Sequence, residues 1–278
     1  MTGLILEELV QAATLRRPCV LVTVAATKGS VPRRAGTRMI VYPDGTFSGT
    51  VGGGKFEALV ISEALALPRR SLPLLKTWPL HESAADSFGA ICGGEMTVLL
   101  DPQFPAPAVT LAGAGHCSHA LAKLAQSCGW HVTVVDDRVD LLRNFPAAEG
   151  IGNIPATDYI AGKAWQEDDA LVLLNRNFQL DRDALAAALA NGKKMGYLGM
   201  IGSQRKVRRV REDLLAAGFS PADLNGVHAP AGLDLGADHP AEIAVSIFAE
   251  ILSCFHKTSA RPLSLPDSSL PASPGMDS

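Results

Sequence analysis

The amino-acid sequence predicts an α/β protein of two domains, a mixed α/β N-terminal domain followed by a doubly wound parallel sheet. Three observations predict it. Between Val109 and Asp136 an apolar strand, a glycine-containing turn, a helical stretch and a second apolar strand follow one another directly. Beyond Asp136 strands and helices keep alternating, as a parallel sheet with crossover helices requires. The 278 residues exceed the roughly 100 to 200 usual for one domain, and three prolines fall within the seven residues Asp101 to Pro107. Prolines remove amide donors and favour extended backbone, so the boundary is predicted there. The expected domains are 1–104 and 105–257, with a tail over 258–278.

Each element has its own signal. Met1 to Gln11 sets Glu7 and Glu8 among leucines and reads as an amphipathic helix, without the basic start or cleavage site of a signal peptide. Cys19 to Ala26 is a β-branched, nearly continuous apolar run, the pattern of a strand buried on both faces. A loop over Thr27 to Gly36 leads to a second strand, Thr37 to Tyr42, and Pro43, Asp44 and Gly45 turn the chain into Thr46 to Gly49. Three glycines, Gly52 to Gly54, precede a helix from Glu57 to Leu67 that Pro68 closes. Leu72 to Trp78 and Glu95 to Leu100 read as strands around a polar stretch ending in Cys92, Gly93 and Gly94.

In the second domain, strands are expected at Val109–Ala112, His131–Val135, Ala170–Leu174 and Met195–Met200. Helices are expected at Ser118–Cys128, Asp183–Ala190, Lys206–Ala217 and Pro240–Phe255. Ser259 to Ser278 is rich in Ser and Pro with little to bury, and is expected to be disordered.

Composition narrows the function. The net charge of -3 suits neither nucleic acid nor another polyanion, and no apolar run reaches the roughly 18 to 20 residues that span a bilayer. The five cysteines are scattered and contain no C-x-x-C pair, which argues against a disulfide framework and a structural zinc site. Reduced thiols in the cytoplasm are expected, with Cys19, Cys128 and Cys254 in the core. His116 and His119 lack partners at metal spacing, so no metal site is expected.

The chemistry concentrates in glycine loops. Gly113 and Gly115 lie between a strand and a helix, and Asp136 ends the next strand about 23 residues on, which is the context of a Rossmann-type dinucleotide fingerprint. Gly113 allows the tight turn, Gly115 lets backbone approach a phosphate, and the helix start offers free N–H groups. Ser118 stands at the third glycine position, where it either loosens the strand–helix packing or offers a hydroxyl to a phosphate. The turn can serve a nucleotide or only the fold.

In the first domain, the loops Gly29 to Gly36 and Gly49 to Gly54 hold six glycines beside Arg33, Arg34, Lys55 and Glu57. Successive glycines before a helix can form a nest of N–H groups for an anion, with arginine as a bidentate partner. Cys92, with Gly93 and Gly94, is either an approachable thiol or a small buried hydrophobe. Gly199 to Lys206 is a glycine and hydroxyl loop followed by Arg205 and Lys206 at a helix start, where cations oppose the helix dipole and suggest an anionic ligand. The segment from His228 to Gly236 is the last dense loop.

Together, Gly29 to Arg33, Gly49 to Gly54 with Glu57, Cys92 to Gly94, Gly113 to His116, Gly199 to Ser203 and Gly232 to Gly236 resemble the xanthine dehydrogenase accessory (XdhC/CoxI) family. The resemblance runs in order from about Leu9 to Phe255. It implies a maturation factor that binds molybdenum cofactor, supports its sulfuration by a cysteine desulfurase and delivers it to a xanthine dehydrogenase-type enzyme, without turnover of its own. It implies a cofactor site at Ser30, Arg33, Gly52, Gly53, Gly54, Glu57 and Cys92, and a Rossmann-side site at Gly113, Gly115, Gly202, Ser203 and Asp234; Gly93 and Gly94 beside Cys92, and Ser118 and Asp136 of the Rossmann turn, are further candidate cofactor-binding residues. A homodimer is expected. The chain departs from the family at Ser118, where glycine is common, and at Asn175 to Asn177, where many members have Thr-His-Asp. The alternative is an NAD(P)-dependent oxidoreductase using the Rossmann turn, or binding of another nucleotide there.

Overall fold

After Ala106 the chain of the computed structural model divides into two units, Met1–Ala106 and Pro107–Ser278. Residues 2–68, 71–80, 93–143, 145–147, 149–192 and 194–263 are described. Cys92, with the polar stretch before it, and most of the expected tail lie outside them.

The first unit comprises α1 (Thr2–Thr14), β1 (Cys19–Lys28), β2 (Arg38–Val41), β3 (Phe47–Gly49), α2 (Gly54–Ala66), β4 (Leu74–Pro79) and β5 (Glu95–Gln103). Its sheet runs β3-β2-β1-β5-β4, with every neighbouring pair antiparallel. Side chains alternate across a strand, so β2 feeds two cores. Met39 and Val41 pack with Phe56 and Val60 of α2, whereas Ile40 joins Ile5 and Ala12 of α1 on the other face. The expected linker starts later than its prolines suggest. Asp101, Pro102 and Gln103 pair with Leu21, Val20 and Cys19, because β1 is long enough to hold them as strand.

The second unit continues with β6 (Ala108–Ala112), α3 (His116–Ser127), β7 (His131–Val135), α4 (Val139–Leu142), β8 (Glu149–Ile151), α5 (Ala156–Gly162) and β9 (Asp169–Leu173). It ends with α6 (Phe178–Asn191), β10 (Tyr197–Met200), α7 (Gln204–Ala216), α8 (Pro221–Leu224) and α9 (Pro240–His256). All pairs in its sheet, ordered β10-β9-β6-β7-β8, are parallel. This is the Rossmann order, and it reverses between β6 and β9, where open α/β sheets form a ligand crevice. Every residue of β6 and β9 is buried. Val109, Leu121 and Ile247 lie in the core under α3 and α9, and Leu171, Leu185 and Val210 in the core under α6 and α7.

Candidate functional site

In the first unit the β1–β5 ladder runs as far as the Lys28–Glu95 pair, and so carries the Gly29–Ser30 loop against Gly93–Gly94. The approach is close enough to exclude a side chain. A methyl group on Gly94 would lie 2.3 Å from the Ser30 carbonyl oxygen and 2.6 Å from that of Lys28. On the other side of β5 the β4–β5 ladder is extended by hydrogen bonds of 2.9 Å from Gly93 N to Leu80 O and 2.7 Å from Leu80 N to Gly94 O. Gly52 closes the third side, since a Cβ there would meet Pro32 Cγ at 3.2 Å. The structure therefore gathers Ser30, Gly52, Gly93 and Gly94 at one end of the sheet.

Glu57 ties the triple-glycine turn down. Its Oε2 accepts from the Thr50 hydroxyl and, at 3.2 Å, from Val51 N. Gly53 is the N-cap of α2 with φ 83°, no side chain caps the helix, and Gly53 and Gly54 face open space. Free N–H groups at this helix start suit an anion. Arg33 is exposed and lines a cleft of about 440 Å³ with Thr37, Arg38, Ser48 and Thr50.

In the second unit the loops after the strands share one edge of the parallel sheet. Gly113 has φ 111°, and a Cβ on it would lie 2.5 Å from Leu174 O, so the turn after β6 touches the end of β9. Gly115 caps α3 and faces open space. Ser118 is fully buried in α3, and its hydroxyl has no hydrogen-bond partner.

Asp136 is occupied by its own chain. Oδ1 accepts from Arg138 N and Nε at 2.9 and 2.8 Å, and Oδ2 from Ala114 N and Arg138 Nη2 at 2.6 and 2.7 Å. Burial pushes its carboxyl up, but these bonds outweigh burial and hold it below the usual range. Asp137 pairs in bidentate fashion with Arg176 at 2.6 and 2.9 Å. That hydrogen bonding brings the Asp137 pKa down to about 2. Because β7 and β9 flank β6, this pair passes over the carboxyl end of β6, a span of two strand spacings or about 10 Å. A cleft of about 430 Å³ beside it is lined by Asp136, Asp137, Asn153, Asn175 and Asp183 among others.

Lys206 corrects an expectation. Its ammonium does not await an anion but bonds the fully buried Asp181 and, at 3.0 Å, Ile201 O. Asp181 also accepts from Asn175 N and Nδ2 at 3.0 and 2.8 Å, so this group links the ends of β9 and β10. Ser203 caps α7, accepting from Lys206 N at 3.3 Å. Asn175, Arg176 and Asn177 each hold the chain's own structure, Asn175 on Asp181, Arg176 on Asp137 and Asn177 as cap of α6. Asp234 is exposed, on a loop tied to α9 by Gly232 N donating to Glu250 at 2.8 Å and to β10 by Ala231 N donating to Met200 O at 2.9 Å.

Sequence reasoning missed Arg38, Asp137 and Glu250. Glu250 also holds the Tyr197 hydroxyl at 2.6 Å and His228 Nδ1 at 3.1 Å. Its signal was a lone acid inside an apolar helix. The cysteines also differ from expectation: Cys128 is exposed at the α3 C-cap, where the chain turns towards Gly129, and Cys254 is half-buried with Sγ 3.7 Å from His228 Nε2. Among the described residues no group of acidic, His and Cys side chains forms a metal site, and no helix is long and apolar enough to cross a membrane.

Fold and loops define a class: an α/β protein whose second unit is a Rossmann sheet with a glycine turn at its switch point, preceded by a unit that gathers glycine loops at one sheet end. Comparison with known proteins makes this specific. Residues 12–76 match the XdhC and CoxI family, and residues 109–251 match the XdhC Rossmann domain. The chain belongs to the XdhC and CoxI family.

It is 32% identical over 237 residues to the uncharacterized protein YqeB of Escherichia coli (strain K12), a match covering 84% of this chain and 43% of that protein. It is 30% identical over 150 residues to a Bacillus subtilis (strain 168) protein named as a probable xanthine dehydrogenase subunit, covering 53% of this chain and 43% of the relative. The chain thus matches less than half the length of either curated relative. A solved Bacillus halodurans structure, described as a xanthine dehydrogenase, aligns with 22% identity and a TM-score of 0.49 over 90% of this chain and 95% of that one.

Proposed function

We propose that the protein is an accessory factor that binds molybdenum cofactor, keeps it during sulfuration by a cysteine desulfurase, and hands it to a xanthine dehydrogenase-type molybdenum hydroxylase. It acts in the cytoplasm as a homodimer. The observation that carries this reading is the gathering of Ser30, Gly52, Gly93 and Gly94 at one sheet end in a chain of the XdhC and CoxI family.

The residues present fit such a group. Bare glycine backbone admits a flat ring system at close range, and the uncapped start of α2 offers N–H donors to its oxygens. Gly52 to Gly54 and Ser30 would hold the pterin by backbone contact, and Arg33 would meet its anionic end. Glu57 positions the loop through Thr50 and Val51. Once installed in the partner enzyme, the molybdenum centre supplies the hydroxylation chemistry; this chain binds, orients and shields.

The NAD(P) reading meets an obstacle at Asp136. The acid that would receive a ribose hydroxyl already accepts four donors from Arg138 and Ala114. Ligand analysis of protein purified from a strain that makes the cofactor, followed by titration with molybdopterin and with NAD(P), tests the proposal. Bound molybdopterin, with affinity lowered about tenfold in Arg33→Ala, is the expected result. A nicotinamide nucleotide in its place would overturn it.

A further inference from the structure

We infer that the cleft on the α1-covered face of the first unit is a site for a phosphate monoester, with Arg38 as its specificity-determining residue. Arg38 starts β2 two residues before Ile40, so both side chains leave the sheet on the face that α1 covers. Gly49 lets the helix come down here: a Cβ on it would lie 2.9 Å from Ile5 Cδ1 and 2.6 Å from Arg38 O. The cleft that results, about 440 Å³, has Leu4 and Ile5 as its apolar wall and Arg33, Arg38 and Ser48 among its polar lining. Among the described residues no carboxylate lines it.

The Arg38 guanidinium is the telling group. Its Nε is buried and has no hydrogen-bond partner. Two other cations of the unit are paired, Arg17 with Asp44 at 3.0 Å and Lys76 with Glu63 at 2.6 Å. Arginine cannot shed its proton to escape burial, so an unpaired buried guanidinium N–H is costly until an anion accepts from it.

The donor count selects the anion. The Thr37 and Thr50 hydroxyls already donate, to Arg34 O at 2.7 Å and to Glu57. That leaves two guanidiniums and the Ser48 hydroxyl, which match a doubly charged tetrahedral group with several acceptor oxygens. A single carboxylate would leave one guanidinium uncompensated. Thr50 joins the cleft to the triple-glycine turn through Glu57. For the identity of the molecule bearing the phosphate, the inference rests on the molybdopterin reading above.

Calorimetric titration of the full chain tests it, using inorganic phosphate, a phosphorylated pterin and the same pterin without phosphate. Arg38→Gln is expected to weaken phosphate binding about tenfold or more, and Arg38→Lys to restore part of it. Arg33→Gln changes an exposed side chain, cannot disturb the core, and is expected to weaken binding in the same direction. Arg34→Gln, a neighbouring arginine that does not line the cleft, is expected to change affinity less than about twofold. Equal affinity in wild type and Arg38→Gln, or an equal loss in Arg34→Gln, overturns the site. Molybdopterin binding untouched by Arg38→Gln overturns it and leaves the proposed function standing. Arg38-dependent phosphate binding without any preference for the phosphorylated pterin sustains the site and removes the molybdopterin reading.

Discussion

Asp136 and Asp137 are adjacent carboxylates with different surroundings. Asp136 is 5% exposed and enclosed by donors, whereas the Asp137 side chain is 57% exposed and held chiefly by Arg176. Both carboxyls are depressed relative to an unfolded value of about 3.9, so each contributes stability above that pH and loses it as pH falls through the folded value. For Asp137 that window runs from about 4 down to about 2, and solvent screening of the exposed pair keeps its contribution small. Carboxyl chemical shifts should place its titration midpoint near 2; a midpoint near 4 would mean that the Arg176 pair is absent in solution. Asp136→Asn, which removes the charge from a buried acceptor, should cost about 1–3 kcal/mol in urea unfolding at neutral pH. Asp136 was legible in the sequence from its distance to the glycine turn. That Arg138 and Ala114 use up its oxygens was not, because hydrogen-bond partners depend on where the turn folds back.

At the scale of the element, the two glycines of the Rossmann turn differ in what they permit. Gly113 needs a left-handed backbone and touches Leu174 O, which is main chain and cannot give way. Gly115 has extended backbone with φ -83° and nothing within 4 Å of a Cβ. Gly113→Ala should therefore lower stability by about 1–3 kcal/mol, whereas Gly115→Ala should stay within about 0.5 kcal/mol of wild type. Thermal unfolding of the two variants decides it, and equal losses would refute the account. Long apolar runs announced β6, β7 and β9, which are buried on both faces, and also β1, although its last four residues are exposed rather than buried as expected. By contrast α4, β8 and α8 span three or four residues each, too few to display a period. Pro102 in β5 misled for another reason: pairing with β1 overrides its local preference.

For the whole molecule, the decisive fact is that each unit has cores of its own. Phe56 packs with Val22, Met39 and Trp78 in the first, and Leu121 with Val109, Trp130 and Phe248 in the second. Phe56→Ala should cost about 3–5 kcal/mol and Leu121→Ala about 2–5 kcal/mol, each shifting the calorimetric transition of its own unit. A single transition moved equally by both would contradict two cooperative units. Glycine turns, alternating strands and helices, and the order of the family motifs could be read along the chain, because each is a pattern among near neighbours or a fixed succession. The placing of Ser30 on Gly94, the reach of Arg176 to Asp137 across 39 positions, and the place of Arg38 in a cleft with Leu4 and Ile5 of α1 could not. Strand order and register bring those residues together, and both follow from how whole faces pack, a property of the folded chain that no local spacing encodes.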